Sequence, residues 1–310
     1  MKYAFVFPGQ GSQSIGMMSG FGENTVIRQT FEEASEALGE DLWQMMQDGP
    51  AERLSLTVNT QPLMLTAGVA CYRAWRAAGG GVPSMVAGHS LGEYSALVAA
   101  GVLAFKDAVP LVRYRAQAMQ EAVPAGQGAM AALLGLDDES ARVACAEAAQ
   151  EGVVDAVNFN GPGQVVIAGH KAAVERAIEV AKAKGAKRAM LLPVSAPFHS
   201  ALMAPAAARL AERLKMVTLN TPEIAVVNNV DVAQEKAPER IRDALVRQAD
   251  HPVRWTEVVQ AMSQAGMSAI VECGPGKVLA GMTKRIAPDV LGGSILDAAT
   301  LDAMLTTLAA

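Results

Sequence analysis

Cysteine is scarce in this sequence, with three residues among 310. Cys71, Cys145 and Cys273 are far apart, form no CxxC spacing and have no histidine pair nearby. An odd number of isolated cysteines excludes a disulfide framework and a cysteine-based zinc site. We therefore expect three reduced, mostly buried thiols, a cytoplasmic location and no bound metal.

Excess positive charge is also lacking, because 26 Lys and Arg against 31 Asp and Glu give a formal net charge of -5. No basic run is long enough to follow a phosphate backbone, which excludes nucleic acid as a partner. The apolar start of the chain, residues 1–7, is cut off by Pro8 and Gly9. That segment is too short for a signal peptide or a membrane span, so we expect a β-strand there and no membrane partner.

Strand and helix patterns alternate along the chain, which is typical of an α/β fold. The continuous apolar strand at 3–7 predicts a parallel sheet covered on both faces. Helices are predicted over 25–38, over 62–78 with Pro62 in the first turn, and over 107–123 with Asp107 as the cap and Pro110 in the first turn.

Between residues 128 and 194 the predicted order becomes β-α-β-β-α-β, the signature of a ferredoxin-like module. The α/β alternation then resumes. We therefore expect a discontinuous large α/β subdomain, made of residues 1–125 and 195–310. A small ferredoxin-like subdomain of residues 126–194 interrupts it.

Residues 88–92 carry the sequence GHSLG, a Gly-x-Ser-x-Gly pattern that is weak evidence by itself. Its setting strengthens it, since 84–86 predicts a strand and 91–102 a helix. This is the pattern of a nucleophile elbow, in which glycines let a strand reverse sharply into a helix and leave the Ser90 hydroxyl exposed. The amide of Leu91 would then point the same way as that hydroxyl. The alternative is a structural turn with an ordinary serine.

A serine nucleophile needs a base, and the sequence has four histidines. His89 adjoins the serine and is expected to point away and support the turn. His170 begins a helix on an outer surface as a solvated cap, and His251 lies in a loop. His199 lies where the chain returns to the large subdomain and begins a helix, so we predict it as the base. A helix N-terminus there would help keep the imidazole neutral.

Arg115 is predicted on the apolar face of its helix, whereas Arg113 is on the opposite face. A buried guanidinium must find an anion, since an unpaired buried charge is costly. One possibility is an internal salt bridge. The other is a bidentate clamp for a substrate carboxylate.

The loop after the first strand, residues 9–14, fails the dinucleotide and P-loop spacings. A loop in this position can supply a backbone amide to an oxyanion hole, and Gln10 is the best placed donor. The GPGK sequence at 274–277 fails the P-loop spacing too and is predicted to turn a strand into a helix.

Several motifs in one order resemble the malonyl-CoA:acyl-carrier-protein transacylases of dissociated fatty-acid synthesis, over essentially the whole chain. They are FPGQGSQ at 7–13, TQP at 60–62, GHSLGEY at 88–94, Arg115, VNFN at 157–160, Phe198-His199 and GPGK at 274–277. The resemblance implies an α/β-hydrolase-like large subdomain with the ferredoxin-like one inserted.

The resemblance also implies site roles. Ser90 would carry the acyl group, His199 would act as base and acid, the amides of Gln10 and Leu91 would form the oxyanion hole, and Arg115 would hold the malonyl carboxylate. Four further residues have roles implied only by the resemblance. They are Gln248, whose carbonyl would orient His199, Gln61 in the pocket near Arg115, Asn160 along the entry cleft, and Phe198, whose ring would fill the space that an α-methyl group needs.

The implied substrate is malonyl-CoA, and the implied partner is an acidic, transiently bound acyl carrier protein whose phosphopantetheine thiol accepts the group. No permanently bound cofactor is implied, and we expect a monomer. Three alternatives stay open: a thioesterase or carboxylesterase on the same elbow, the same transfer in a polyketide or malonate-decarboxylase system, and a non-enzymatic scaffold.

Overall fold

The computed structural model describes residues 1–194 and 196–309. Ser195 and Ala310, at which the second segment of the large subdomain was expected to begin and end, lie outside the described residues. The strands are β1 (Tyr3–Phe7), β2 (Met85–Gly88), β3 (Gly128–Leu134), β4 (Val154–Gly161), β5 (Gln164–His170), β6 (Arg188–Leu191), β7 (Ala225–Val227), β8 (Ala269–Cys273) and β9 (Leu291–Ile295).

Helices precede, separate and follow these strands. They are α1 (Thr25–Leu38), α2 (Leu42–Asp48), α3 (Ala51–Ser55), α4 (Thr57–Ala77), α5 (Gly92–Ala99), α6 (Phe105–Glu121), α7 (Asp138–Ala149), α8 (Lys171–Ala183), α9 (Ala204–Lys215), α10 (Pro238–Gln248), α11 (Trp255–Gln264), α12 (Val278–Ile286) and α13 (Ala298–Ala309). Short 3-10 helices cover Ser19–Phe21 and Ala201–Met203.

Five strands form a parallel sheet in the order β7-β2-β1-β8-β9. β1 lies at its centre, and its side chains alternate between two cores. Phe5 and Phe7 pack in one apolar cluster with α4, while Ala4 and Val6 pack in another with α11. This burial of both faces explains why the strand is apolar throughout.

The other four strands form an antiparallel sheet in the order β4-β5-β3-β6, with α7 and α8 on one face. The predicted β-α-β-β-α-β order is present, and its first strand, β3, lies inside the sheet as a ferredoxin-like module requires. The opposite face carries Met130, Val166 and Ala168, which pack toward Phe198. The fold prediction, a parallel α/β core with a small inserted antiparallel module, is confirmed.

Two helix starts were predicted wrongly. Both α4 and α6 begin before the predicted residue, so that Pro62 and Pro110 are each the sixth helical residue and lie inside the helix. Asp107 is the third residue of α6 and does not cap it; Ala104 occupies the N-cap. The error has one cause, the assumption that proline marks the first turn. Buried side chains before each proline, Thr60 and Phe105 among them, extend both helices toward the N-terminus.

Candidate active site

The GHSLG segment forms the sharp turn between β2 and α5 that its sequence predicts. Ser90 has a left-handed backbone with φ of 52°. A Cβ on Gly88 would lie 1.8 Å from the carbonyl carbon of Gly92, and a Cβ on Gly92 would lie 2.0 Å from the oxygen of Phe7. Only glycine fits at both positions, so the two glycines are what allows the turn.

His199 reaches the serine from the loop that precedes α9. Its Nε2 lies 2.7 Å from Oγ of Ser90, and its Nδ1 lies 2.7 Å from the carbonyl oxygen of Gln248. Because a carbonyl only accepts, Nδ1 must carry the proton, and Nε2 is left to accept from the serine hydroxyl.

Burial, together with the nearby positive charge of Arg115, lowers the pKa of His199 to about 3. His199 directly precedes Ser200, the N-cap residue of the 3-10 helix Ala201–Met203, and α9 follows that helix without a gap. The imidazole is therefore neutral at physiological pH, as a general base must be.

Arg115 is buried beside the serine. Its Nη1 donates to Oε1 of Gln61 at 2.9 Å, and its Nη2 donates to Oε1 of Gln248 at 2.9 Å and lies 3.3 Å from Oγ of Ser90. Within residues 1–194 and 196–309, no carboxylate lies within 4.0 Å of this guanidinium. The internal salt bridge considered from the sequence is thus not formed, and a full positive charge faces the serine.

The two predicted oxyanion donors are near each other. A Cβ on Gly9 would lie 3.8 Å from the amide nitrogen of Leu91, which brings the Gly9–Gln10 backbone against the elbow. Neither the Gln10 nor the Leu91 amide donates a hydrogen bond to another residue in the described part of the chain. Both amides therefore remain available to an anionic oxygen.

A cavity of about 140 Å³ joins these groups. Seven of the predicted residues line it, namely Gln10, Gln61, Ser90, Leu91, Arg115, Phe198 and His199. Its remaining wall is mostly apolar and comes from α6, the antiparallel sheet and the segment after β6, with Met119, Met130, Val166, Leu192 and Val194.

Asn160 does not line this cavity, contrary to the expectation that it lies along the entry cleft. It is buried behind the elbow, where its Oδ1 lies 2.8 Å from Nε2 of His89. The pairing of β4 with β5 shifts register between Phe159 and Gly161, and Asn158 lines the cavity instead. The His89 ring packs against the Trp255 ring at 5.3 Å, and His89 also lines the cavity.

The other two histidines lie outside this cavity. His251 is exposed, with Nδ1 2.6 Å from Oδ1 of Asp250. His170 is the N-cap residue of α8, but its ring makes no capping bond; Nδ1 instead accepts from the amide of Val153 at 2.9 Å.

Two buried residues beneath the elbow, Asn229 and Glu93, are not predicted as site residues from the sequence. Oδ1 of Asn229 accepts from the amide of Ser90 at 2.8 Å, and Oε2 of Glu93 accepts from the amide of Asn229 at 2.9 Å. A signal was present: Asn228 and Asn229 directly follow the strand β7. The carboxyl ends of parallel strands meet at one edge of a sheet, where sites concentrate.

The described residues hold no group of three or more His, Cys, Asp or Glu side chains placed to bind a metal ion. Among the helices of the described chain, none combines the length and apolar character needed to cross a membrane. The arrangement can deprotonate a serine hydroxyl with a neutral imidazole, stabilise an oxyanion with two amides and hold a carboxylate with a buried cation.

Comparison with known proteins agrees with this chemistry. Residues 4–293 match the family model described as acyl transferase domain. The chain is 59% identical over 297 residues to the malonyl CoA-acyl carrier protein transacylase of Escherichia coli (strain K12), and the match covers 96% of each chain.

Solved structures agree as well. The acyl-carrier-protein S-malonyltransferase of Burkholderia pseudomallei 1710b is 62% identical with a TM-score of 0.98, covering 99% of this chain and 100% of that one. A malonyl-transacylase solved in complex with its type II PKS acyl-carrier protein is 53% identical with a TM-score of 0.98, covering 99% of this chain and 100% of that one. The chain therefore belongs to the acyl transferase family and is an acyltransferase.

Proposed function

We propose that the protein transfers a malonyl group from malonyl-CoA to the phosphopantetheine thiol of an acyl carrier protein, supplying the extender unit for fatty-acid synthesis. The observation that carries the proposal is the buried guanidinium of Arg115, 3.3 Å from Oγ of Ser90 and without a carboxylate partner among the described residues. A substrate whose acyl group ends in a carboxylate would supply that partner. The printed names of the relatives, malonyl CoA-acyl carrier protein transacylase and S-malonyltransferase, support this substrate.

In the first half-reaction, Nε2 of His199 takes the Ser90 proton as Oγ attacks the malonyl thioester carbonyl. The amides of Gln10 and Leu91 stabilise the tetrahedral oxyanion. The carbonyl of Gln248 keeps the proton of His199 on Nδ1, so that Nε2 is free to act. As the intermediate collapses, the thiolate of CoA leaves and takes up the proton from His199, and a malonyl ester remains on Ser90.

The second half-reaction reverses these steps. The carrier thiol gives its proton to His199 and attacks the ester, and Ser90 recovers its proton as it leaves. Exchange is therefore ping-pong, between thioesters of nearly equal free energy. Arg115, itself fixed by Gln61, holds the carboxylate so that the ester carbonyl is presented to an oriented thiol.

Mixing the protein with malonyl-CoA and measuring its intact mass tests the proposal. We expect the wild type to gain one malonyl group and to lose it when a holo acyl carrier protein is added. Ser90→Ala removes the nucleophile and leaves the rest of the site intact, so it should gain nothing. Steady release of free malonate, with no acyl-enzyme and no transfer, would instead indicate a thioesterase.

The solved complex of a malonyl-transacylase with its type II PKS carrier protein keeps a polyketide role as a second candidate pathway for the same chemistry. The proposal also includes the remaining expectations from the sequence. These are an acidic and transiently bound carrier, a monomeric enzyme in the cytoplasm without a permanently bound cofactor, and division into a large subdomain (1–125 and 195–310) and a small one (126–194).

A further inference from the structure

The side chain of Asn229 bridges the two sides of the nucleophile elbow. Its Oδ1 accepts from the amide of Ser90 at 2.8 Å, and its Nδ2 donates to the carbonyl oxygen of Gly88 at 2.8 Å. One carboxamide thus connects the carbonyl of Gly88, two residues before the serine, with the amide of Ser90 itself. Asn229 is fully buried, so water does not compete for these bonds.

This bridge bears on the conformation of the nucleophile. Ser90 has a φ of 52°, a left-handed backbone that residues with a Cβ adopt only when their surroundings enforce it. The hydrogen bond to the Ser90 amide exists only while the peptide before Ser90 keeps its present orientation. The carboxamide of Asn229 therefore favours the backbone that aims Oγ at His199.

The bridge is itself held from behind. The amide of Asn229 donates to Oε2 of Glu93 at 2.9 Å, and that same oxygen accepts from Nε2 of Gln248 at 3.0 Å. Nε2 of Gln248 also donates to the carbonyl oxygen of Ser90 at 3.0 Å. Since the backbone carbonyl of Gln248 orients His199, the network connects the nucleophile and the base through buried groups.

We propose that Asn229 is a positioning residue for the nucleophile, which fixes the elbow so that Ser90 Oγ faces both His199 and the oxyanion amides. It acts through Ser90 and contacts neither the cavity nor the substrate. The expected effect on malonyl transfer rests on the proposed function, whereas the expected effect on the orientation of Ser90 is independent of it.

Replacing Asn229 by alanine removes both bonds to the elbow, and with them the longer bond that Oδ1 accepts from Nε2 of Gln248 at 3.4 Å. In a single-turnover experiment with malonyl-CoA, Asn229→Ala should acylate Ser90 about 10- to 100-fold more slowly at saturation, because small misplacements of a reacting group have effects of this size. The concentration of malonyl-CoA that gives half the maximal rate should change little, because the Arg115 and Gln61 contacts remain. Labelling of Ser90 by a fluorophosphonate, which carries no malonyl group, should slow by a similar factor.

Asn228→Ala is the matched control. It removes the same side chain one residue away, at a similarly buried position whose Oδ1 accepts from the amide of Asp231 and does not contact the elbow. We expect Asn228→Ala to react with both reagents at nearly the wild-type rate. Thermal unfolding of both variants identifies loss of folded protein, which would lower the active fraction and leave the rate constant of the folded part unchanged.

Asn229→Asp gives a second test. Unlike alanine, aspartate is nearly the same size as asparagine and leaves no empty space behind the elbow. An ionised carboxylate can accept from Ser90 but cannot donate to Gly88, whereas the protonated carboxyl can do both. Glu93 on α5 contacts this position directly, and Arg115 on α6 and Asp231 on the loop after β7 interact electrostatically with Glu93. The Ser90 labelling rate of Asn229→Asp, relative to wild type at each pH, should rise as the pH falls through the titration of the new carboxyl.

The results distinguish failure of the positioning role from failure of the proposed function. Wild-type rates for Asn229→Ala with both reagents, or losses equal to those of Asn228→Ala, would overturn the positioning role and leave malonyl transfer intact. Slower fluorophosphonate labelling in a protein whose wild type is never acylated by malonyl-CoA would support the positioning role and overturn the proposed function.

Discussion

The chemistry of this site depends on how burial changes single residues. Arg115 is surrounded by amide oxygens and the ring of Tyr94, with its guanidinium carbon 5.4 Å from the ring centroid. These neighbours solvate a cation without neutralising it. Burial lowers the pKa of Arg115 from its usual value, yet a guanidinium remains protonated in proteins. Glu93 interacts with the guanidinium electrostatically but does not pair with it directly, so the cation can still bind a ligand anion.

Arg115→Ala should reduce malonyl transfer about 10- to 100-fold, because a hydrogen-bonded charge contributes about 1.5 to 3 kcal/mol. The loss should be specific for the carboxylate, so the preference for malonyl-CoA over acetyl-CoA should fall by a similar factor. Rates of Ser90 acylation by both thioesters measure this.

Arg113→Ala is the control for that experiment, since Arg113 lies on the same helix but forms an ion pair with Glu40 at 2.9 Å, away from the cavity. It should keep the wild-type preference. An unchanged preference in Arg115→Ala would count against the carboxylate clamp.

At the scale of elements, the sequence predicted most of the fold because burial imposes simple periodicities. β1 is apolar at every position since both its faces are covered, and the β-α-β-β-α-β order of the small module follows from local patterns alone. The misplaced starts of α4 and α6 show where such patterns fail. Tertiary packing keeps a proline inside each helix, and a rule about first turns does not include that packing.

A site residue could be predicted from the sequence where it stands out from the pattern of its own segment. Ser90 stands in a glycine motif and Arg115 on an apolar helical face, so each is visible in its own segment. Asn229 is not visible in this way, because its role depends on β7 lying beside β2 in the sheet. The sequence does not show that Asn229 and Ser90, 139 residues apart, are hydrogen-bonded. Asn160 was misplaced because a register shift in β4 changes which side chains reach the cleft.

Strand β8 contains a buried acid, Glu272, with a testable effect on stability. Oε2 of Glu272 accepts from the amide of Ala280 at 2.9 Å, and burial raises the pKa of Glu272 to about 7. Because the folded pKa lies above that of the unfolded chain, the folded state is favoured at low pH. This advantage is lost as the pH rises from about 4.5 to about 7.

Glu272→Gln should therefore flatten the decline of stability over that interval, because an amide keeps the acceptor for Ala280 and never ionises. The free energy of unfolding of the variant relative to wild type should increase by roughly 3 kcal/mol between the acid and neutral ends of the interval, as expected for a shift of this size. Urea unfolding at a series of pH values measures it. Glu93 titrates in the same range in both proteins and cancels in the comparison. Parallel curves would contradict the assignment.

At the scale of the whole molecule, the cavity lies where the two sheets meet, and Phe198 belongs to both sides. It packs against an apolar cluster that includes Ala118 of α6 and Ala206 of α9, and also against a cluster that includes Met130 and Val166 of the antiparallel sheet. The same side chain therefore packs between the two sheets and lines the acyl pocket, so its size affects both how the sheets pack and how wide the pocket is. A change at this position should affect selectivity and stability together.

Phe198→Ser should open space beside the malonyl α-carbon and raise the ratio of methylmalonyl to malonyl transfer by about tenfold, since one methyl group in an apolar pocket is discriminated by about this much or more. It should also lower the melting temperature, because apolar contacts on both sides are lost. Phe198→Leu keeps an apolar side chain of intermediate size and should change both quantities less. Competition between the two acyl-CoA substrates, measured by the mass of the acyl-enzyme, separates the effects. A lower melting temperature with an unchanged substrate ratio would mean that Phe198 joins the two sheets without shaping the acyl pocket.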